Sequence, residues 1–156
     1  MYRVDIYLES ESRYMGSRER KTGYFMSCIL DNGQEYSDMK VIRTEGTWNH
    51  CMLEAMNEAL KRMKKPSEIH IHSENGYIID MFENSLPAWA DNGFVNSKGN
   101  PVKDSEIWKS VWETLSPHLI VMERGPHEYS TWMKWRLGDE EGTDGGKPCG
   151  KHQNTA

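Results

Sequence analysis

The sequence predicts an α/β domain, and changes of hydrophobic period along the chain carry that prediction. Tyr2 to Ser10 alternates strictly, with Tyr2, Val4, Ile6 and Leu8 on one face and Arg3, Asp5, Tyr7 and Glu9 on the other. Two more β-prone runs follow, divided by the tight-turn signal Asp31-Asn32-Gly33. From Trp48 the apolar residues recur at helical spacing, and alternation returns at Glu68.

The first strand puts an acid, Glu9, where the chain leaves the sheet. The polar stretch Glu11 to Lys21, with Gly16, Arg13, Arg18, Arg20 and Lys21, reads as a loop or hairpin end with local positive charge. Thr22 to Leu30 is the second strand and a third falls within Gln34 to Thr44, so short turns join an antiparallel meander. A helix capped by Thr47 carries Trp48, Met52, Ala55, Met56, Ala59, Leu60 and Met63 on one stripe and ends before Pro66. Glu68 to Ser73 is a fourth strand, with Ile69 and Ile71 on one face and His70, His72 and Glu74 on the other. The histidine face is expected beneath a helix, with the histidines hydrogen-bonded. Asp5 is expected in a structural salt bridge.

Tyr77 to Phe82 is a short helical segment, followed by mixed turns around Pro87, Trp89, Gly93 and Gly99. Asp104 to Leu115 forms a helix with Ile107, Trp108, Val111, Trp112 and Leu115 on one stripe. A short fifth strand, Leu119 to Met122, and a last helix, Glu128 to Leu137, complete the domain, with Gly138 as the helix stop. Residues 138–156 are rich in Gly and charge and are expected to be a disordered tail after a single domain over 1–137.

At 156 residues and 37% hydrophobic content the chain can bury a core without crosslinks. Cys28, Cys51 and Cys149 are odd in number and widely spaced, which suggests neither a disulfide framework nor a thiolate zinc site. No basic-then-apolar leader or membrane-length apolar run occurs, so the expected location is cytoplasmic. The net charge is −5, and the four acids and two lysines after Leu137 leave the body at −3. Any nucleic-acid surface must then be a local basic patch.

Several strings resemble the type 1 ribonuclease H family. Trp89-Ala-Asp-Asn-Gly-Phe-Val-Asn-Ser-Lys-Gly-Asn-Pro-Val-Lys-Asp-Ser-Glu-Ile-Trp108 is similar to its W-x-x-x-G-W/F and G-K-P-V-K-N-x-x-L-W segment. Val4 to Ser10 resembles its V-x-I-Y-T-D-G strand, Thr47 to Ala55 its T-N-N-R-M-E-L-x-A helix start, and Ser73-Glu-Asn-Gly-Tyr77 its T-D-S-x-Y turn. The resemblance implies a ribonuclease H-like fold: a five-stranded mixed sheet, three antiparallel and two parallel strands, flanked by helices. It also implies hydrolysis of the RNA strand of RNA/DNA hybrids by two divalent cations, Mg²⁺ or Mn²⁺, held about 3.5–4 Å apart by four carboxylates.

Carried over by position, the first-strand Asp is Glu9 and the turn Asp is Glu74, which become the implied catalytic and metal-binding pair. The helix Glu falls on Met52 if Thr47 and Leu53 are matched, or on Asn49 if the helix is slid to favour Glu58-Ala59-Leu60. The last-helix acid falls near Lys134 to Leu137, with Asp139 and Glu140 the nearest acids. His127 resembles the family's loop histidine that assists product release. Thr47 and Asn49 at the helix start are the implied phosphate contacts, with Arg13, Arg18 and Lys103 adding charge. Lengthening two acids by a methylene moves each carboxylate about 1 Å, on a scale where misplacement costs about 10²-fold in rate. The expectation is a divergent nucleic-acid-binding relative with a degenerate active site, lost or weak nuclease activity and weak metal binding. Alternatives are an active hybrid-specific ribonuclease H and a non-catalytic protein-interaction scaffold.

Overall fold

The computed structural model describes residues 2–138. Strand β1 (Tyr2–Ser10) lies at the centre of a five-stranded sheet of order β3-β2-β1-β4-β5. β2 (Arg18–Ile29) and β3 (Glu35–Gly46) continue it antiparallel, and β4 (Ser67–Ser73) and β5 (Leu119–Arg124) run parallel to β1. The mixed five-stranded sheet is therefore as expected. Between β2 and β3, Gly33 turns the chain at φ 85°, a value glycine adopts without penalty.

β2 starts at Arg18 rather than Thr22, because its ladder with β3 reaches back to the pair Arg18 and Gly46. The charged run at 18–21 masks this start. Arg20 is 1% exposed, and its guanidinium donates to the Ser12 carbonyl at 2.9 Å and the Gly16 carbonyl at 2.8 Å. A buried arginine stands where an apolar residue would have marked the strand.

Helix α1 (Trp48–Leu60) starts where the Thr47 hydroxyl accepts the His50 N–H at 3.1 Å. Its Met52, Leu53, Met56 and Leu60 pack on Val4, Ile6 and Leu8 of β1 and on Ile69 and Ile71 of β4, which form the main core. α2 (Gly76–Asp80) passes through a wider helical turn, Met81–Ser85, directly into α3 (Leu86–Asp91). The expected mixed turns thus begin only after Asp91. Pro87 sits in the first turn of α3, where a helix needs no amide partner from it. α4 (Ser105–Thr114) buries Trp108 completely, 5.6 Å from the Trp89 ring.

α5 (Ser130–Gly138) packs on the opposite face of the sheet, over β1 and β2. Tyr7, Phe25, Tyr129 and Met133 make a second, smaller core there, flanked by Trp132 and Met39. The β4 histidines are hydrogen-bonded as expected, but to carboxylates of the sheet rather than beneath a helix. His70 lies 2.7 Å from Glu68 and 3.2 Å from Glu123, and His72 lies 2.9 Å from Asp5. Asp5 is also paired with Arg3 at 3.1 Å, the structural salt bridge expected of it. No helix among the described residues is long and apolar enough to cross a membrane. Apart from Gly138, the segment expected to be a disordered tail lies outside the described residues.

Candidate functional site

The parallel pairing of β1 with β4 ends with Tyr7 beside His72; Glu9 follows on β1, Glu74 follows just past the end of β4, and Arg13 acts on both. Glu9 is 4% exposed. Its Oε1 accepts the Ser10 N–H at 3.4 Å, while Oε2 is buried without a hydrogen-bond partner. Burial pushes the Glu9 carboxyl above its ordinary range, and Lys134, Ser10, Ser130 and Arg13 pull only part of the way back.

Glu74 is paired with the Arg13 guanidinium. The same guanidinium lies over the Trp48 ring, 5.7 Å from its centroid. The implied acids therefore face two cations of the chain itself, Arg13 from the β1–β2 loop and Lys134 from α5.

Neither residue matched to the third acid position, Met52 or Asn49, is a carboxylate, and Asp139 and Glu140, the acids nearest the fourth, lie outside the described residues. Met52 is 1% exposed and belongs to the main core. Asn49, the other alignment, has its side-chain oxygen 2.9 Å from the Asn75 amide nitrogen, and Asn75 in turn caps α2 by accepting the Ile78 N–H at 2.9 Å. On α5 the residues that act on Glu9 are Ser130 and Lys134, a hydroxyl and a cation. A two-metal centre needs several oxygen ligands that converge. Among the described residues no three His, Cys, Asp or Glu side chains do so. The described residues do not fit a pair of divalent cations.

His127 is held on both nitrogens. The Tyr129 N–H donates to Nδ1 at 3.2 Å, so the proton sits on Nε2, which donates to the Leu8 carbonyl at 3.2 Å. Nε2 is also 4.0 Å from Glu9 Oε2, in a side chain only 3% exposed. Burial lowers the His127 pKa to about 4, with the neighbouring charges of His72 and Lys134 acting in the same direction.

The expected nucleic-acid contacts gather round the start of α1. Thr47 caps it, Asn49 lies in its first turn, and Arg13 reaches it over Trp48. Arg18 is opposite Gly46, next to Thr47, with its guanidinium 6.0 Å from the Tyr14 ring. Lys103 is exposed beside Asp104, whose carboxylate holds His50 at 2.9 Å. Three participants escape a reading of the sequence. Asn75 before Gly76-Tyr77-Ile78-Ile79 does carry a capping signal from which it could be found. Trp48 and Ser130 carry none, because a helical Trp reads as core and the sequence pattern places the start of the last helix at Glu128.

The family model described as RNase H matches residues 6–124. A Ribonuclease H of Symbiobacterium thermophilum is 29% identical over 94 residues, 60% of this chain and 64% of that relative. A Ribonuclease H of Clostridium botulinum is 28% identical over 121 residues, 77% of this chain and 80% of the relative. Among solved structures, LC9-RNase H1, a type 1 RNase H with the type 2 active-site motif, superposes with a TM-score of 0.67 at 16% identity, covering 85% of this chain and 68% of that one. The matched segment runs from Ile6 within the central strand β1 through α1 to the end of β5, and the chain belongs to the RNase H family.

Proposed function

We propose that this domain binds RNA/DNA hybrid or duplex nucleic acid through the surface around the α1 start, with metal-dependent cleavage lost or weak. The observation that carries this reading is the ligand set. The family uses divalent metals, yet here the helix acid position falls on the core residue Met52 or on Asn49, and Glu74 is paired with Arg13. Phosphates would meet the first-turn N–H groups of α1 with Thr47 and Asn49, and Arg18 and Lys103 would supply the positive charge, since the Arg13 guanidinium expected among them is paired with Glu74. A body that is acidic overall would make this grip local and sensitive to salt.

A working ribonuclease H is the second reading, favoured by the alignment with relatives of that name. One pair of assays separates them. A labelled hybrid incubated with Mg²⁺ or Mn²⁺ is expected to stay intact or be cut slowly, while binding it falls linearly in log–log form with salt. Rapid cleavage abolished by Glu9→Gln or Glu74→Gln would establish the enzyme instead, and neither binding nor cleavage would leave only a scaffold.

A further inference from the structure

We propose that Arg13 is a cation built into the chain in place of a divalent ion: its guanidinium, held between Glu74 and the Trp48 ring, supplies the charge the two acids need and keeps metal out. The proposal rests on the reading of a site without its own metals and deepens it by naming what replaced them.

The loop that carries Arg13 is constructed to hold it there. Arg20, fully buried, donates to the carbonyls of Ser12 and Gly16 and so clasps the segment on either side of Arg13. Ser10 Oγ donates to the Ser12 carbonyl at 2.9 Å, and Ser12 Oγ accepts the Tyr14 N–H at 3.1 Å. At the root of the loop, the Lys21 N–H donates to the Glu11 carboxylate at 2.8 Å and the Glu11 N–H to the Lys21 carbonyl at 3.0 Å. These bonds fix the backbone on either side of Arg13, and its contacts with Glu74 and the Trp48 ring place the guanidinium.

Charge and geometry agree. Two acids that share one cation would repel each other if both were ionised without it. Arg13 engages Glu74 directly and acts favourably on Glu9 through space, and Lys134 also stabilises the charged form of Glu9. A guanidinium matches a carboxylate in shape and stacks on an aromatic ring, so it suits the place between Glu74 and Trp48 better than a lysine would. With Met52 in the core, no third carboxylate among the described residues converges there to draw a divalent ion past it.

Thermal midpoints of the wild type, Arg13→Ala and Arg13→Gln, each with and without millimolar Mn²⁺, test the proposal. The wild type is expected to show no shift. Both variants should melt lower than the wild type without metal and recover by a few degrees with Mn²⁺, because the ion binds only the folded site. Arg13→Gln retains most of the side-chain stem over Trp48, which separates loss of charge from loss of packing. Adding Glu74→Gln to Arg13→Ala should abolish the recovery, and Mn²⁺ water-proton relaxation should show binding only where the recovery occurs. A wild-type shift equal to that of the variants, or variants indifferent to Mn²⁺, overturns the proposal. A wild type that grips hybrid poorly yet shows no Mn²⁺ shift supports it and overturns only the binding reading.

Discussion

At the scale of single residues, Glu9 and His127 are buried neighbours with opposite consequences. Burial raises the Glu9 carboxyl, so ionising it at neutral pH costs stability. Glu9→Gln is therefore expected to raise the urea midpoint at neutral pH, even though it removes a candidate functional group; such stability gained by losing a site residue is a common trade-off. For His127 the folded pKa of about 4 lies below the ordinary 6.5, so between these values the unfolded chain binds more protons. Its contribution is full above about pH 6.5 and is lost as pH falls toward about 4. Urea melts across this range should show falling stability, with a shallower slope for His127→Gln. The groups around His127 that bear on this are Glu9, His72 and Lys134. The acid at the end of β1 and the histidine before α5 are legible in the sequence from position alone. Their burial is not, because it arises from α5 and the aromatic cluster of Tyr7, Phe25 and Tyr129 closing over one end of the sheet.

At the scale of elements, β2 and α5 depend on a single missing side chain. A Cβ on Gly23 would lie 2.6 Å from the Lys40 carbonyl and 3.3 Å from Leu137 Cδ2, so the strand ladder and the helix above it both approach the bare backbone. Gly23→Ala is expected to destabilise the fold by about 1–3 kcal/mol in chemical denaturation, the usual cost of overpacking. Arg20→Ala should leave the carbonyls of Ser12 and Gly16 without their buried donor, at roughly 1–3 kcal/mol for each one that water cannot reach. Hydrogen exchange should quicken first at residues 12–17. Period and capping make β1, α1 and α4 readable because each presents a regular apolar face to the main core. The start of β2 is hidden because its buried residue there is charged. The helical path from Gly76 to Asp91 is hidden for another reason, since Pro87 signals a break unless a new first turn begins around it.

At the scale of the whole molecule, the order of strands follows from β1 being the partner of both β2 and β4, which the alternation of its residues can suggest but not fix. The parallel half of the sheet is legible from the resemblance and from the helix between β3 and β4, since a parallel neighbour requires a crossover. Charge also acts at this scale. Each phosphate-contacting cation removed from the α1 surface should lower the log–log salt slope of hybrid binding by about 0.9, and Arg18→Ala or Lys103→Ala should do so without changing the thermal midpoint. The clasp of Arg20 on the loop around Arg13 has a consequence of a different kind. A dissolved ion visits its site as often as its concentration in the surroundings dictates, whereas a charge tethered by a short, fixed loop is present at one effective concentration for as long as the loop is folded. With Arg13 in the role proposed for it, the acids of β1 and β4 are deaf to chelators and to the ion supply, and the state of the site is written into folding itself.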